Sequence, residues 1–539
     1  MSGHDLRITP TQEVRDAAPG TEFLYDTSNT HGELQHVRYG DGHVLLVPQP
    51  SLQDPNDPLR WPSWKKWLTF SNALGYSFLG GVTGPIMAGG MLELSATFNQ
   101  PIQKLVYANG ATLVCQGVFN IFWMPFAVKF GRRPIYVISA FLMGVACMWL
   151  GQASNNSYEN LLVARAFLGA FEAPIESIVP STVTDIFFLH DRGEKISLYG
   201  LSVLSGNELG PLFSALIIQR YGMGWAFWIV GFFIFLNSIS ILLVMPETKY
   251  TGTRPSITPH FDEPEKSVMA AHDEKDPGER VVSIESQIKK RTLVQELAFW
   301  SRPDPTVSLS KAFLRPFILL TYPTVVWASF VYGLSLGWNV ILGSVVAQLF
   351  APQYGFDSQA QGLVFISPFI GSLIGTWLCG PLSDKIATYY TKRNDGIREP
   401  EMRLPTCIIA AFLTMTGALV TSLTYAHNTH YMGPIVGYGI LSAGAQMGAT
   451  LSMSYSLDCH KELSVEVMVT VAAVKSLVAW IWTWVITEWL TSDGVVVVFM
   501  SIAAINVAVY LTTLPMSWYG KDVRKWIVSA DIMGRAGLR

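Results

Sequence analysis

Charge is what this chain lacks most. Asp, Glu, Lys and Arg make up 14% of its 539 residues, against about 25% in a soluble domain. Half of the chain is hydrophobic, the mean hydropathy is +0.31, and the net charge is −3 with a pI near 6.4. This balance excludes a single soluble domain and a disordered chain, and it points to no nucleic acid or other polyanion as partner. Cysteine is scarce too. The five (Cys115, Cys147, Cys379, Cys407 and Cys459) are scattered without metal-ligand spacing, so neither a metal site nor a disulfide framework is expected. The first 60 residues are polar, rich in Pro, Gly and Asp, and hold no apolar core, so no cleavable signal peptide is expected. No P-loop pattern (G-x-x-x-x-G-K-S/T), nucleophile–base pair or phosphate-binding glycine loop occurs, so an enzyme is not expected, nor any cofactor. Energy for work across a membrane then has to come from a gradient rather than from ATP.

Long apolar runs are what the chain has instead. Uncharged stretches cover Trp67–Leu92, Leu105–Val128, Ile135–Ala153, Trp225–Met245, Pro316–Gln353, Gly362–Ser383, Leu404–Ala426, Tyr431–Leu457 and Val495–Pro515. Three more, Leu161–Leu189, Ile196–Gln219 and Val467–Leu490, hold a few charges. With about 20 apolar residues needed per crossing, these read as twelve spans. The run from Pro316 is too long for one straight span, so its last part is expected to tilt or to lie at the outer surface. A cytoplasmic N-terminus can be tested by counting basic residues. Of the 37 Lys and Arg, 33 fall in segments that would then face the cytoplasm, while only Lys104 and Arg220 fall outside and Arg165 and Lys475 within spans. Both termini are therefore expected inside.

The longest inner segment separates six spans from six. The expected organisation is a cytoplasmic segment 1–66, a six-helix half 67–245, a cytoplasmic linker 246–315, a second six-helix half 316–515 and a cytoplasmic tail 516–539. Glu247–Arg280 is polar and Pro-rich, which predicts mobility, whereas the apolar spacing of Ile284, Ile288, Leu293, Leu297 and Trp300 predicts a helix on the inner membrane face. Trp61, Trp64 and Trp67 around Lys65 and Lys66 read as an interfacial belt.

Two six-span halves joined by a long inner loop is an arrangement that resembles the major facilitator superfamily, and short motifs strengthen the likeness. Lys129-Phe130-Gly131-Arg132-Arg133-Pro134 is similar to that superfamily's loop between spans 2 and 3, G-x-L-a-D-R-x-G-R-R, although Val128 stands in place of the Asp and Met124 in place of the first Gly. Gly380-Pro381-Leu382-Ser383-Asp384-Lys385 stands at the equivalent place in the second half. Such loops imply charge-assisted locks that hold one conformation, with Gly131, Arg132, Arg133, Gly380, Asp384, Lys385 and Arg393 as the switch residues. Arg165-Ala166-Phe167-Leu168-Gly169 resembles the R-x-x-x-G of proton-coupled members, and Gly206-Asn207-Glu208-Leu209-Gly210-Pro211 resembles the fifth-span signature of the drug:proton antiporter branch. The segments Asp54–Pro62, Asp185–Tyr199 and Lys392–Leu404 are similar to ones in fungal members. The resemblance implies an all-α integral membrane protein of the major facilitator fold with twelve transmembrane helices, a monomer whose partners are the lipid bilayer, protons and a small-molecule substrate. The plasma membrane is the implied location, with the vacuolar membrane as alternative.

Five ionisable groups sit well inside spans: Arg165, Glu172, Glu176, Glu208 and Lys475. A charge at mid-bilayer costs about 2.5–3.5 kcal/mol even on the lenient insertion scale, so each should face a cavity or a partner. At about 100° per residue, Glu172 and Glu176 lie on the face of Arg165, with Pro174 disturbing the angle. Arg165 could instead pair permanently with Glu172 or Glu208 and only fix packing. Asp185, at the inner end, suits a helix cap or a bond to the loop arginines. Lys475 could bind a substrate carboxylate, serve as counter-ion to a span 4 or span 5 acid, or snorkel. Asn207, Tyr332, Trp338, Asn339 and Gln446 are further candidates for substrate or proton binding, beside Tyr322, Trp327, Trp480 and Trp484. Asn155-Asn156-Ser157 is a sequon in an outer loop, with glycosylation of Asn155 left open by its closeness to two helices. The leading expectation is proton-coupled efflux of drugs or secondary metabolites. Import of organic cations such as polyamines is the main alternative, and a transporter-like nutrient receptor is a third.

Overall fold

The computed structural model describes residues 18–538 apart from 19, 24–35, 40, 41, 47, 52, 53, 253, 255–289, 301, 302, 306, 395 and 396. Helices dominate it. Before the linker run α1 (Ser63–Thr83), α2 (Met91–Phe98), α3 (Ile102–Phe130), α4 (Arg132–Ala153), α5 (Tyr158–Glu172), α6 (Ile175–Ile186), α7 (Leu189–Tyr221) and α8 (Met223–Val244). After the short α9 (Leu293–Glu296) come α10 (Leu309–Leu319), α11 (Pro323–Tyr354), α12 (Ser358–Val364), α13 (Ile366–Trp377), α14 (Ser383–Arg393), α15 (Cys407–Ala426) and α16 (Met432–Cys459). The chain then ends in α17 (Ser464–Leu511), α18 (Thr513–Ala530) and α19 (Ile532–Arg535). Eight helical stretches are long and apolar enough to cross a membrane. One of these, Ser464–Arg535, is bent at Gly494, whose φ of 79° is open to glycine but strained for other residues. The apolar run from Pro316 does not form one tilted rod. It breaks at Leu320–Tyr322, where Pro323 restarts the helix as its first residue.

Ile284 and Ile288 of the expected interfacial helix lie outside the described residues, as does most of Glu247–Arg280; of 290–300 only Leu293–Glu296 is helical. What is described of the linker is bound rather than loose. Arg254 donates two bonds to Asp57 at 2.8 and 3.2 Å, and Lys65 pairs with Glu296 at 2.7 Å and Lys249 with Asp304 at 2.9 Å. Burial alone would raise the Asp57 carboxyl. The Arg254 fork and the backbone N–H groups of Ser51 and Leu59 outweigh it and hold the group below the usual carboxylate range. Among the described residues there are also four short strands: β1 (Glu22–Phe23) pairs antiparallel with β4 (Ile397–Arg398), and β2 (His36–Tyr39) with β3 (Gly42–Leu45).

Small residues let the helix backbones touch. A Cβ on Gly169 of α5 would overlap the Thr112 carbonyl of α3. One on Gly206 of α7 would overlap the Phe78 carbonyl of α1, and one on Gly371 of α13 the Gly439 carbonyl of α16. This is the close approach that packs helices where no hydrophobic drive separates them from lipid. Large apolar side chains such as Phe232, Leu243, Ile408, Phe412 and Trp377 stay exposed on the outside of the bundle, a surface that suits hydrocarbon. One core cluster runs through the helices before the linker and on into Tyr332, Met453 and Val467 of the helices after it. A second joins Ala88 to Trp338, Leu342 and Phe365.

Gly169→Leu should lower the stability of the purified chain by about 1–3 kcal/mol or more, the usual cost of overpacking. Thermal melting in detergent checks this, with Gly343→Ala, where nothing lies within 4 Å of an added Cβ, expected to melt like the wild type.

Candidate functional site: a cavity between the two helix sets

A cavity of about 100 Å³ lies where the helices before the linker face those after it. Its wall begins in α1, where Gly80-Gly81-Val82-Thr83-Gly84-Pro85 ends the helix and passes into a 3-10 turn over Pro85–Gly90. An ended helix leaves carbonyls without intrahelical partners. Arg165 takes two of them, donating to Thr83 O at 2.7 Å and Gly84 O at 2.6 Å, and it also donates to Asn109 Oδ1. Arg165 is fully buried and is bonded to neither Glu172 nor Glu208. It thereby stands behind the wall, as the staple of a broken helix.

The two acids of span 4 line one cavity and take different partners. α5 stops at Glu172 and α6 restarts at Ile175, with Ala173 and Pro174 between. Glu172 accepts from Thr83 Oγ1 at 2.6 Å and so stays within the helices before the linker. Glu176 turns the other way. Its Oε1 meets Lys475 Nζ of α17 at 2.6 Å, and its Oε2 accepts from the Tyr332 hydroxyl of α11 at 3.3 Å. Glu176 is 5% and Lys475 6% exposed, so the pair is a desolvated one that costs more broken than made. Glu208 of α7 also reaches across: Ser372 Oγ of α13 and Ser442 Oγ of α16 each donate to its Oε1 at 2.6 Å. Its Oε2 is buried and has no protein partner.

Glu172, Glu176, Asn207, Glu208, Asn339 and Lys475 line the cavity. Tyr332 lies one bond behind it through Glu176. Trp338 sits in a packed core, 1% exposed, with its Nε1 donating to Asn506 Oδ1 at 3.4 Å. Gln446 is buried beside Thr376, to which it donates at 2.8 Å, and neither it nor Tyr322, Trp327, Trp480 or Trp484 is part of the wall. The sequence reading missed Asn109, Gln116 and the serines Ser372 and Ser442. Uncharged polar residues are common in spans, and the one signal was the Gly84-Pro85 pair, which marks a discontinuous helix of the kind that builds binding sites.

At the linker face, Gly131 holds φ at 100° and turns α3 into α4. Arg132 pairs with Asp185, the acid at the end of α6, at 2.9 Å. The N–H groups of Arg132 and Arg133 donate to Glu247, and Arg133 also donates to the carbonyls of Leu242, Met245 and Leu297. In the second motif, Gly380 lies in a π-helical turn (Leu378–Leu382), and Asp384 accepts from Arg403 at 2.9 Å while Arg403 also meets Asp458 at 3.5 Å. Lys385 and Arg393 are exposed; Arg393 lies over the Tyr389 ring, 4.8 Å from its centroid. Asn155 is exposed in the turn between α4 and α5, where Ser157 caps α5. Among the described residues no His, Cys, Asp and Glu group is arranged to hold a metal ion.

Residues 67–482 match the family model of the Major Facilitator Superfamily. The chain belongs to that superfamily. Its relatives include an MFS-type transporter of Schizosaccharomyces pombe, 25% identical over 94% of this chain and 93% of that one. Protein HOL1 of Saccharomyces cerevisiae is 24% identical over 95% and 96%, and the MFS-type transporter penM of Penicillium rubens 25% over 88% and 89%. Among solved structures, the human organic anion transporter MFSD10 covers 84% of this superfamily member with all of its own chain, at a TM-score of 0.53 and 15% identity, a likeness of fold. The superfamily and the fungal kinship read from the motifs are therefore borne out.

Neutralising one partner of the buried pair should destabilise the protein and neutralising both should restore it. Glu176→Gln and Lys475→Met are each expected to cost about 3–5 kcal/mol, and the double variant to melt within a few degrees of the wild type.

Proposed function

We propose that this major facilitator protein is a proton-coupled secondary transporter of small organic cations. It works by alternating access between two six-span halves, 67–245 and 316–515, as a monomer in the plasma membrane with the linker face and both termini in the cytoplasm. One observation carries the choice of substrate charge. Lys475, the basic group that would repel a cation, is spent on Glu176, which leaves Glu172 and Glu208 as acids on the cavity wall with no basic group bonded to either. A carboxylate in a dry pocket attracts an ammonium far more strongly than one in water, and the same acid can carry a proton when the site is empty. Exchange of proton for cation at one set of carboxylates makes the two exclude each other, which is the requirement for coupling. The likeness of Gly206–Pro211 to the antiporter branch supports export as the direction. The size of the cavity supports small amines over large drugs.

Flux of a labelled small amine and of a fluorescent lipophilic dye, in a transporter-deleted yeast strain expressing the chain, tests this. The expected result is amine flux that an uncoupler abolishes and that Glu208→Gln lowers about tenfold or more, since a buried carboxylate facing an ammonium is worth at least that. Uncoupler-sensitive flux of dye alone, untouched by Glu172→Gln and Glu208→Gln, would overturn the assignment. Tags at both termini that stay protected from external protease in intact cells would support the topology.

A further inference from the structure

The two sides of the cavity differ in chemistry. The helices before the linker supply its three carboxylates, Glu172, Glu176 and Glu208, and most of its amides, Asn109, Gln116 and Asn207. The helices after it supply an apolar wall, including Leu336, Val340, Phe365, Pro368 and Ala479, with two polar residues, Asn339 and Lys475. Lys475 is engaged by Glu176. Asn339 is not engaged: both its Oδ1 and its Nδ2 are buried without a protein partner. An amide that can accept and donate, held in an apolar wall with neither capacity used, is costly unless something in the cavity completes it.

Resting on the cation reading above, we propose that the substrate is an amine charged at one end only, whose apolar body carries one uncharged hydrogen-bonding group, and that Asn339 is the residue that reads that group. The ammonium sits towards Glu208, whose Oε2 is likewise buried and unpartnered, and Glu172. The body lies along Leu336, Val340 and Phe365. A hydroxyl or amide on that body exchanges hydrogen bonds with Asn339. With the first ammonium at Glu208 and Glu172 and the wall's third carboxylate, Glu176, held by Lys475, a second ammonium would lack a carboxylate of its own, so a polyamine is disfavoured. The space agrees with such a molecule. At about 10–15 Å³ per water-sized group, a cavity of about 100 Å³ takes about seven to ten non-hydrogen atoms.

Three probes of about that size separate the possibilities: tyramine (one ammonium, ring, hydroxyl), phenethylamine (the same without the hydroxyl) and spermidine (several ammoniums, no apolar body). Their affinities for the purified full chain in nanodiscs, read by ligand-dependent melting, should rank tyramine first. The margin over phenethylamine should be about tenfold, the usual cost of leaving a site's amide unpaired. Asn339→Leu should remove that margin by weakening tyramine while leaving phenethylamine bound. Asn339→Ser, which keeps a hydroxyl, should restore part of it. Spermidine binding tighter than tyramine would overturn the proposal while leaving the cation reading intact, as would equal loss of tyramine and phenethylamine in Asn339→Leu. If none of the three amines shifts the melting of the wild type, the cation reading itself falls, and this one with it.

Discussion

The ion pair between Glu176 and Lys475 is the contact on which the rest of the arrangement depends. Each charge has left water for a helix interior, and each is tolerable there only because the other stands 2.6 Å away. The pair ties a helix before the linker to one after it, and Tyr332 adds a third helix through the second carboxylate oxygen. Glu208 makes a parallel tie through Ser372 and Ser442. Between these two crossings lies the cavity, so neither face can open without giving up charged hydrogen bonds that something else must replace. On the proposed function, a proton on the carboxylate or a cation in its place is the replacement, which would make occupancy of the site and opening of the bundle one event.

The linker face carries a second layer of ties with a different logic. Arg132–Asp185 joins neighbouring helices of one set, and Arg403 with Asp384 and Asp458 those of the other. Gly193 brings the start of α7 against Asp384: an added Cβ there would stand 3.3 Å from its carboxylate. These bonds tie neighbouring elements within each set, and on the proposed alternating access they would let the sets part as rigid units. The bound ends of the linker, at Asp57–Arg254 and Lys249–Asp304, add to the stiffness of the first set.

Much of the helix order was legible, because hydropathy and the absence of charge read directly as helix in a medium that satisfies no backbone group. The interruption at Pro174 was legible as well, and the partners of the two acids were not: both line the cavity, and Glu172 bonds Thr83 while Glu176 bonds Lys475. The partner of Arg165 escaped the sequence for a related reason. Backbone carbonyls have no letter in a sequence, and only the Gly84-Pro85 step signalled that α1 would end there and free them. Asp185 shows the same limit: the charge was visible, its position beside Arg132 was a matter of packing. Asn339 stood out in the sequence as a polar residue within a span. That it would be left without a partner followed only from the apolar wall around it.

The central claim is that the cavity is closed by contacts between two sets of helices that part as units. Spin labels at positions 194 and 385, both exposed and flanking the contact of Gly193 with Asp384, would measure this by double electron–electron resonance in nanodiscs. The account predicts a dominant short distance in the wild type, with a second, longer population that grows when Glu176→Gln breaks the crossing. A single distance, unmoved by that substitution, by pH or by an added amine, would contradict it.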